Sequence, residues 1–287
     1  MMPISMIAYS VLGLAIASVP FLKKPWLPLA LFVLACVAGF STDVLSWPAL
    51  AFIITVGLAS FMLYQRQRSI WVYLPLVGLL LLAGHLVLTH AAPGFNNLKI
   101  LSGVQTSPDA APYSLYLNFD KAALGFFLLL FAVPHITSAK EWLRSLRMTL
   151  FFFIPTAVVL IGITYVAGLV AFAPKLPAFM PVWIFANLLF TCIAEEVFFR
   201  QFVFGQLLDK FGRGVLAGVA ALVLSSLFFA YYHLSGGLSY AGFSFIAGLF
   251  YGVAFWKSGR VEVAIGVHFL TNLTHILFFT YPVLASS

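Results

Sequence analysis

Few residues of this chain carry a charge: Asp, Glu, Lys and Arg make up 8% of its 287 residues, where soluble proteins hold roughly 25%. That scarcity excludes an ordinary soluble domain. With 63% hydrophobic residues, the chain reads as a polytopic membrane protein. Cysteine is nearly absent as well. Cys36 and Cys192 both lie in apolar runs, so neither a disulfide framework nor a cysteine-based metal site follows. The net charge of +7 does not indicate nucleic acid, because the basic residues are scattered through short connections and form no continuous patch. Residues 1–22 place no Lys or Arg ahead of the first apolar run, so no cleaved signal is expected there and the first helix should be retained.

What the chain has in quantity is long apolar runs. Stretches long enough to span a bilayer, roughly 17 to 25 residues, fall at 5–22, 26–42, 47–64, 70–90, 120–138, 148–172, 181–207, 214–235, 239–257 and 262–282. They predict an all-α fold of about ten transmembrane helices. Alternate loops receive Lys23, Lys24, Arg66, Arg68, Lys140, Arg144, Arg147, Lys210, Arg213, Lys257 and Arg260, and the opposite set receives Lys99, Lys121 and Lys175. Eleven against three places both termini outside the cytoplasm by the positive-inside rule. Trp26, Trp47, Trp71, Trp142, Trp183 and Trp256 fall near run ends, as an interfacial belt requires. The expected location is the cell (inner) membrane, with the bilayer itself as the first partner.

Segment 91–119 is the one long polar stretch, and its Pro93-Gly94, Asn96-Asn97, Ser107-Pro108-Asp109 and Pro112 predict a loop. The basic stretch Ser138–Arg144 reads as a linker, which divides the chain into N-terminal helices over 1–147 and a core over 148–287. Gly214-x-x-x-Gly218 and Gly248-x-x-x-Gly252 are spacings that let helix backbones approach in lipid.

Against this apolar background Ala194-Glu195-Glu196-Val197-Phe198-Phe199-Arg200 stands out. A charge at the bilayer centre costs at least about 2.5 to 3.5 kcal/mol, so three such groups within six positions mark a polar cavity. Glu196 and Arg200 stand at i and i+4 and can pair, while Glu195 is rotated by about 100° and cannot share that partner equally. The spacing therefore leaves Glu195 for chemistry. Two later clusters add polar groups: His233 ends one apolar run, and His268 and Asn272 share a face of the last, with His275 on the same side. Counted from the loops, His268 lies six residues into its helix and His233 about nineteen beyond Gly214, so the two sit level only if the helices are tilted or offset.

A carboxylate, two imidazoles and an amide are the parts for activating water and stabilising an oxyanion. A buried glutamate can take the proton of water, and His and Asn donors can stabilise the charge that develops on an attacked carbonyl. Other hydrolytic signatures are missing: there is no His-Glu-x-x-His, no Gly-x-Ser-x-Gly and no Gly-x-Gly-Asp. Glu195, His233 and His268 could instead ligate zinc. That alternative is disfavoured, because Asn272 in the i+4 place is a poor zinc ligand and a good oxyanion donor. No cofactor is expected.

Glu195-Glu196-x-x-x-Arg200, then Phe229-x-x-x-His233, then His268-x-x-x-Asn272 resembles the three-motif signature of the CAAX protease and bacteriocin-processing (CPBP, Abi) family, which includes the type 2 CAAX prenyl endopeptidases. The stretch Phe245–Gly248 through Gly252 to Lys257-Ser258-Gly259 is similar to that family as well. The resemblance covers about 180–280. It implies a glutamate-dependent intramembrane endopeptidase acting on a membrane-associated protein or peptide, with Glu195 as general base and Glu196, His233, His268 and Asn272 completing the catalytic set. Arg200 is the structural support. Three other readings stay open at this point: a buried ion-pair network at Glu195-Glu196-Arg200, a transporter using the same groups as a proton relay, and an immunity or scaffold protein. His85, His90, His135 and His275 read as structural or interfacial.

Overall fold

A computed structural model describes residues 4–22, 24–65, 69–212 and 214–285. Lys23, Arg66, Arg68 and Arg213, which enter the charge bias, lie outside the described residues. Among the described residues the architecture is almost all-α, with ten helices and one small sheet. The helices are α1 (Ser5–Ser18), α2 (Trp26–Ser41), α3 (Trp47–Leu63), α4 (Ile70–Leu88), α5 (Phe119–Ala132), α6 (Ala139–Val166), α7 (Met180–Phe211), α8 (Val215–Tyr231), α9 (Leu238–Ser258) and α10 (Val261–Phe278). Five of them, α4, α6, α7, α9 and α10, are long and apolar enough to cross a membrane. Shorter apolar helices are α1 with its extension to Phe21, α2, α3 and α8. The chain is an integral, multi-pass membrane protein.

Two compact units divide the helices. The first comprises Met1–Leu98, Leu117–Ile136 and Leu189–Phe198. Its centre is α5, which is buried on every side, as an all-round apolar helix should be. It packs on α1, α3, α4 and the Ile193–Glu196 turn of α7. Phe126 stacks on Phe32 at 4.4 Å, and Gly125 lets the α5 backbone approach α7: a Cβ there would stand 2.8 Å from Ala194 Cα.

The second unit comprises Lys99–Tyr116, Thr137–Leu188 and Phe199–Ser287. Within it α6 packs on α9 and α10, and α9 packs on α8 and α10. The Gly248/Gly252 spacing serves the α8–α9 contact, since added Cβ atoms would meet Ser226 Cβ at 3.0 Å and Leu222 Cδ1 at 2.4 Å. The Gly214/Gly218 spacing works by half. Gly218 faces Trp256, whereas Gly214 faces open space. Residues 169–173 bond to 278–284, and Ala111 N and Ala285 N extend the ties to Val283 and Asp109.

Three expectations are corrected. Segment 91–119 is not only loop: β1 (Leu98–Val104) and β2 (Tyr113–Leu117) form a hairpin, because Tyr113, Leu115 and Leu117 alternate with Ser114 and Tyr116 at the strand period and bury Leu115 and Leu117. Ser138–Arg144 is not a linker but the start of α6. Ser138 caps the helix by accepting from Glu141 N at 3.2 Å, and the Glu141 carboxylate accepts from Thr137 N, the residue before the cap, at 3.1 Å, a variant of the capping box. Trp183 is not interfacial either. It is fully buried between Phe269 and Tyr281, and its Nε1 donates to the Tyr281 hydroxyl at 3.4 Å.

Candidate active site

Helix α7 carries the acidic motif and is not a uniform α-helix. Residues Ala186–Cys192 and Val197–Phe204 are π-helical, with hydrogen bonds that close over five residues instead of four, and a single α turn, Ile193–Glu196, lies between them. Glu195 and Glu196 occupy that turn. Glu196 is fully buried and Glu195 is 6% exposed. Such wide turns are uncommon and gather at functional sites.

In the first unit Glu195 is held by a residue that sequence reasoning missed. Lys121, in the first turn of α5, donates from Nζ to Glu195 Oε1 at 3.1 Å, with both side chains largely buried. Glu195 is therefore not the free carboxylate that the spacing suggested, because a cation arrives from a helix distant in sequence. The signal was present in Asp120-Lys121, two charges at the head of an apolar run. Asp120 accepts from Asn97 Nδ2 at 3.0 Å and from Lys121 N at 2.8 Å, and His90 Nδ1 lies 4.0 Å from its other oxygen. Burial, and after it the charge of Lys121, lower the His90 pKa below its ordinary value.

In the second unit the two histidines meet at one ring. Phe229 lies 4.4 Å from the His233 ring and 6.3 Å from the His268 ring, centroid to centroid. The C-terminal turn of α8 thus stands against the eighth residue of α10, despite the difference in depth counted along the sequence. His233 follows the end of α8, and its Nδ1 is 2.8 Å from the Phe229 carbonyl oxygen. A carbonyl only accepts, so Nδ1 carries the proton. In the neutral imidazole Nε2 is then the acceptor, the state needed to receive a hydrogen from water. His268 is buried and stacks on Tyr251 at 4.6 Å and 16°.

Arg200 packs against these rings. Its guanidinium lies 4.6 Å from Phe229, 5.6 Å from Tyr251 and 5.7 Å from Phe199, and Nη2 donates to the Gly248 carbonyl at 3.3 Å. Phe229 and Tyr251, the rings that the histidines contact, thus also contact a fully buried cation. Asn272 Nδ2 donates to Asn187 Oδ1 at 3.3 Å. Asn187, another residue not singled out, was visible as a lone amide in the apolar run of α7. His275 is a tie for the C-terminal segment: its Nε2 is 3.0 Å from the Thr280 carbonyl, and its ring packs on Tyr281. Among the described residues no group of three or more His, Cys, Asp or Glu is arranged to hold a metal ion.

Residues 177–274 match the family model described as Type II CAAX prenyl endopeptidase Rce1-like. The chain carries a segment similar to that family, here termed the Rce1-like segment. No curated protein and no solved structure matches the chain. The Rce1-like segment contains Glu195, Glu196, Arg200, His233, His268 and Asn272, in agreement with the resemblance drawn from the three motifs. Lys121, Asn97 and His90 lie outside it.

Proposed function

We propose that the chain is a glutamate-dependent intramembrane endopeptidase that hydrolyses a peptide bond of a membrane-associated protein or peptide. Glu195 takes a proton from water as the water oxygen adds to the scissile carbonyl, and returns it to the leaving amine. His233 orients the water through Nε2, while His268 and Asn272, one helical turn apart, donate to the carbonyl oxygen as it becomes negative. Glu196 pairs with Arg200 and holds the motif together. No metal takes part. Ten helices span the membrane, with both termini extracytoplasmic, the helices of 1–147 preceding the core over 148–287, and the protein resident in the cell (inner) membrane.

The observation that carries this reading is the convergence of His233 and His268 on Phe229, with the tautomer of His233 set by the Phe229 carbonyl. A proton relay would instead use polar groups spread along several helices. The test is cleavage of a membrane-peptide library by the purified protein in lipid nanodiscs, beside Glu195→Gln and with metal content measured on the same samples. New peptide termini from the wild type alone are expected, with activity resistant to chelators. Roughly one equivalent of zinc, lost in His233→Ala and His268→Ala, would overturn the mechanism. Equal peptide patterns from both proteins would overturn the activity.

A further inference from the structure

Lys121 has an alternative that it does not take. A lysine in the first turn of a helix can extend its stem toward the interface and keep its ammonium in water. Here the side chain is 14% exposed, and Nζ is 3.1 Å from a carboxylate 74 residues away in sequence. The backbone explains the reach. Lys121 and Gly125 lie at i and i+4 on one face of α5, and at Gly125 the helix approaches Ala194 closely enough that a Cβ would stand 2.9 Å from Ala194 Cβ. Glu195 is the next residue. A glycine one turn away thus brings the ammonium within hydrogen-bond distance of the acid.

The nearer acid, Asp120, has its own set of partners: Asn97 Nδ2, the Lys121 backbone N–H and His90. Among the described residues, Glu195 from α7, His90 from the segment after α4 and Asp120 from its own helix are titratable groups that face Lys121. Of Lys121 and His90, it is Lys121 that bonds the Glu195 carboxylate.

We propose that Lys121 is a positioning residue of the candidate active site, whose ammonium fixes the orientation of the Glu195 carboxylate through Oε1 and holds it in the charged form. The inference rests on the reading of Glu195 as the general base and deepens it. A general base must be deprotonated when substrate arrives, and an apolar helix by itself favours the neutral acid. An opposite charge within hydrogen-bond distance works against that preference. Lys121 lies outside the Rce1-like segment, so the helices before that segment supply a group to its acidic motif.

The experiment uses dicyclohexylcarbodiimide, which reacts with protonated carboxyl groups in apolar surroundings, and reads the rate of modification at Glu195 by peptide mass spectrometry at neutral pH. Full-length protein in nanodiscs is compared with Lys121→Gln and Lys121→Arg. Slow modification in wild type and Lys121→Arg, and a rise of about tenfold or more in Lys121→Gln, is expected. The same rate in Lys121→Gln as in wild type overturns the proposal. Should Lys121→Gln not fold, an infrared difference spectrum of wild type against Glu195→Gln reads the same charge state, and a protonated-carboxyl band from Glu195 at neutral pH overturns the proposal equally. Neither readout needs cleavage, so a labelling shift without proteolysis would refute only the proposed activity. Where cleavage is measured, Lys121→Gln should lower kcat more than it alters KM and move the acidic limb of the pH profile upward, with Lys121→Arg restoring both. A purely structural lysine would leave that limb in place.

Discussion

Glu195 and Glu196 are adjacent in sequence, yet their neighbours come from different parts of the chain. The i, i+4 rule offers Arg200 as the partner expected for Glu196, but it sees only local neighbours, so Lys121 escapes it. Replacing Glu195 with Gln should leave a folded, inactive protein, whereas Arg200→Met should lower thermal stability by about 2 kcal/mol or more, because a desolvated cation over three aromatic faces is lost. Thermal unfolding in detergent distinguishes the two, and equal destabilisation would remove the division of labour. The tautomer of His233 makes a sharper prediction. Asn can replace the Nδ1–H that bonds the Phe229 carbonyl but not Nε2, so His233→Asn should keep stability and lose turnover. Asn272→Ala should lower turnover about a hundredfold through loss of one oxyanion donor. His90 adds a pH dependence. Its folded-state pKa lies below the ordinary value, so the unfolded chain takes up the proton first and stability falls as the pH drops below about 6.5. His90→Gln should flatten that fall in a series of melting temperatures between neutral and mildly acidic pH.

At the scale of elements, order and type were legible and their local geometry was not. All ten apolar runs became helices in the expected order, because run length and turn residues alone specify that much. The π turns of α7 left no trace in the hydrophobic pattern, since an all-round apolar stretch has no face whose drift would reveal a wider turn. The α6 start was legible in Ser138-x-x-Glu141, and the basic residues around it drew the reading toward a linker. The β1–β2 hairpin was hidden by the density of turn residues on both sides of two short strands. Close approach is where an element-scale change should matter most. Gly125→Val places methyl groups against the Ala194 backbone and should cost about 1 to 3 kcal/mol. Gly214→Val, which faces open space, should cost less, and unfolding of the two variants side by side checks the difference.

For the molecule as a whole, the charge bias predicts that reporter fusions at Arg66, Arg144 and Arg213 read cytoplasmic; an external reading at Arg144 would contradict ten spans. The candidate residues of the Rce1-like segment stand out as three motifs because ionisable groups in apolar helices are costly and therefore conspicuous. Lys121 and Asn187 do not, since each becomes meaningful only when another helix is beside it. Proteolysis by Glu195 is the central claim, and the most direct measurement is the inventory of membrane and secreted peptides from cells that carry the wild-type chain or Glu195→Gln at equal protein level. Defined new termini that require Glu195 are the predicted result, and identical inventories would contradict it.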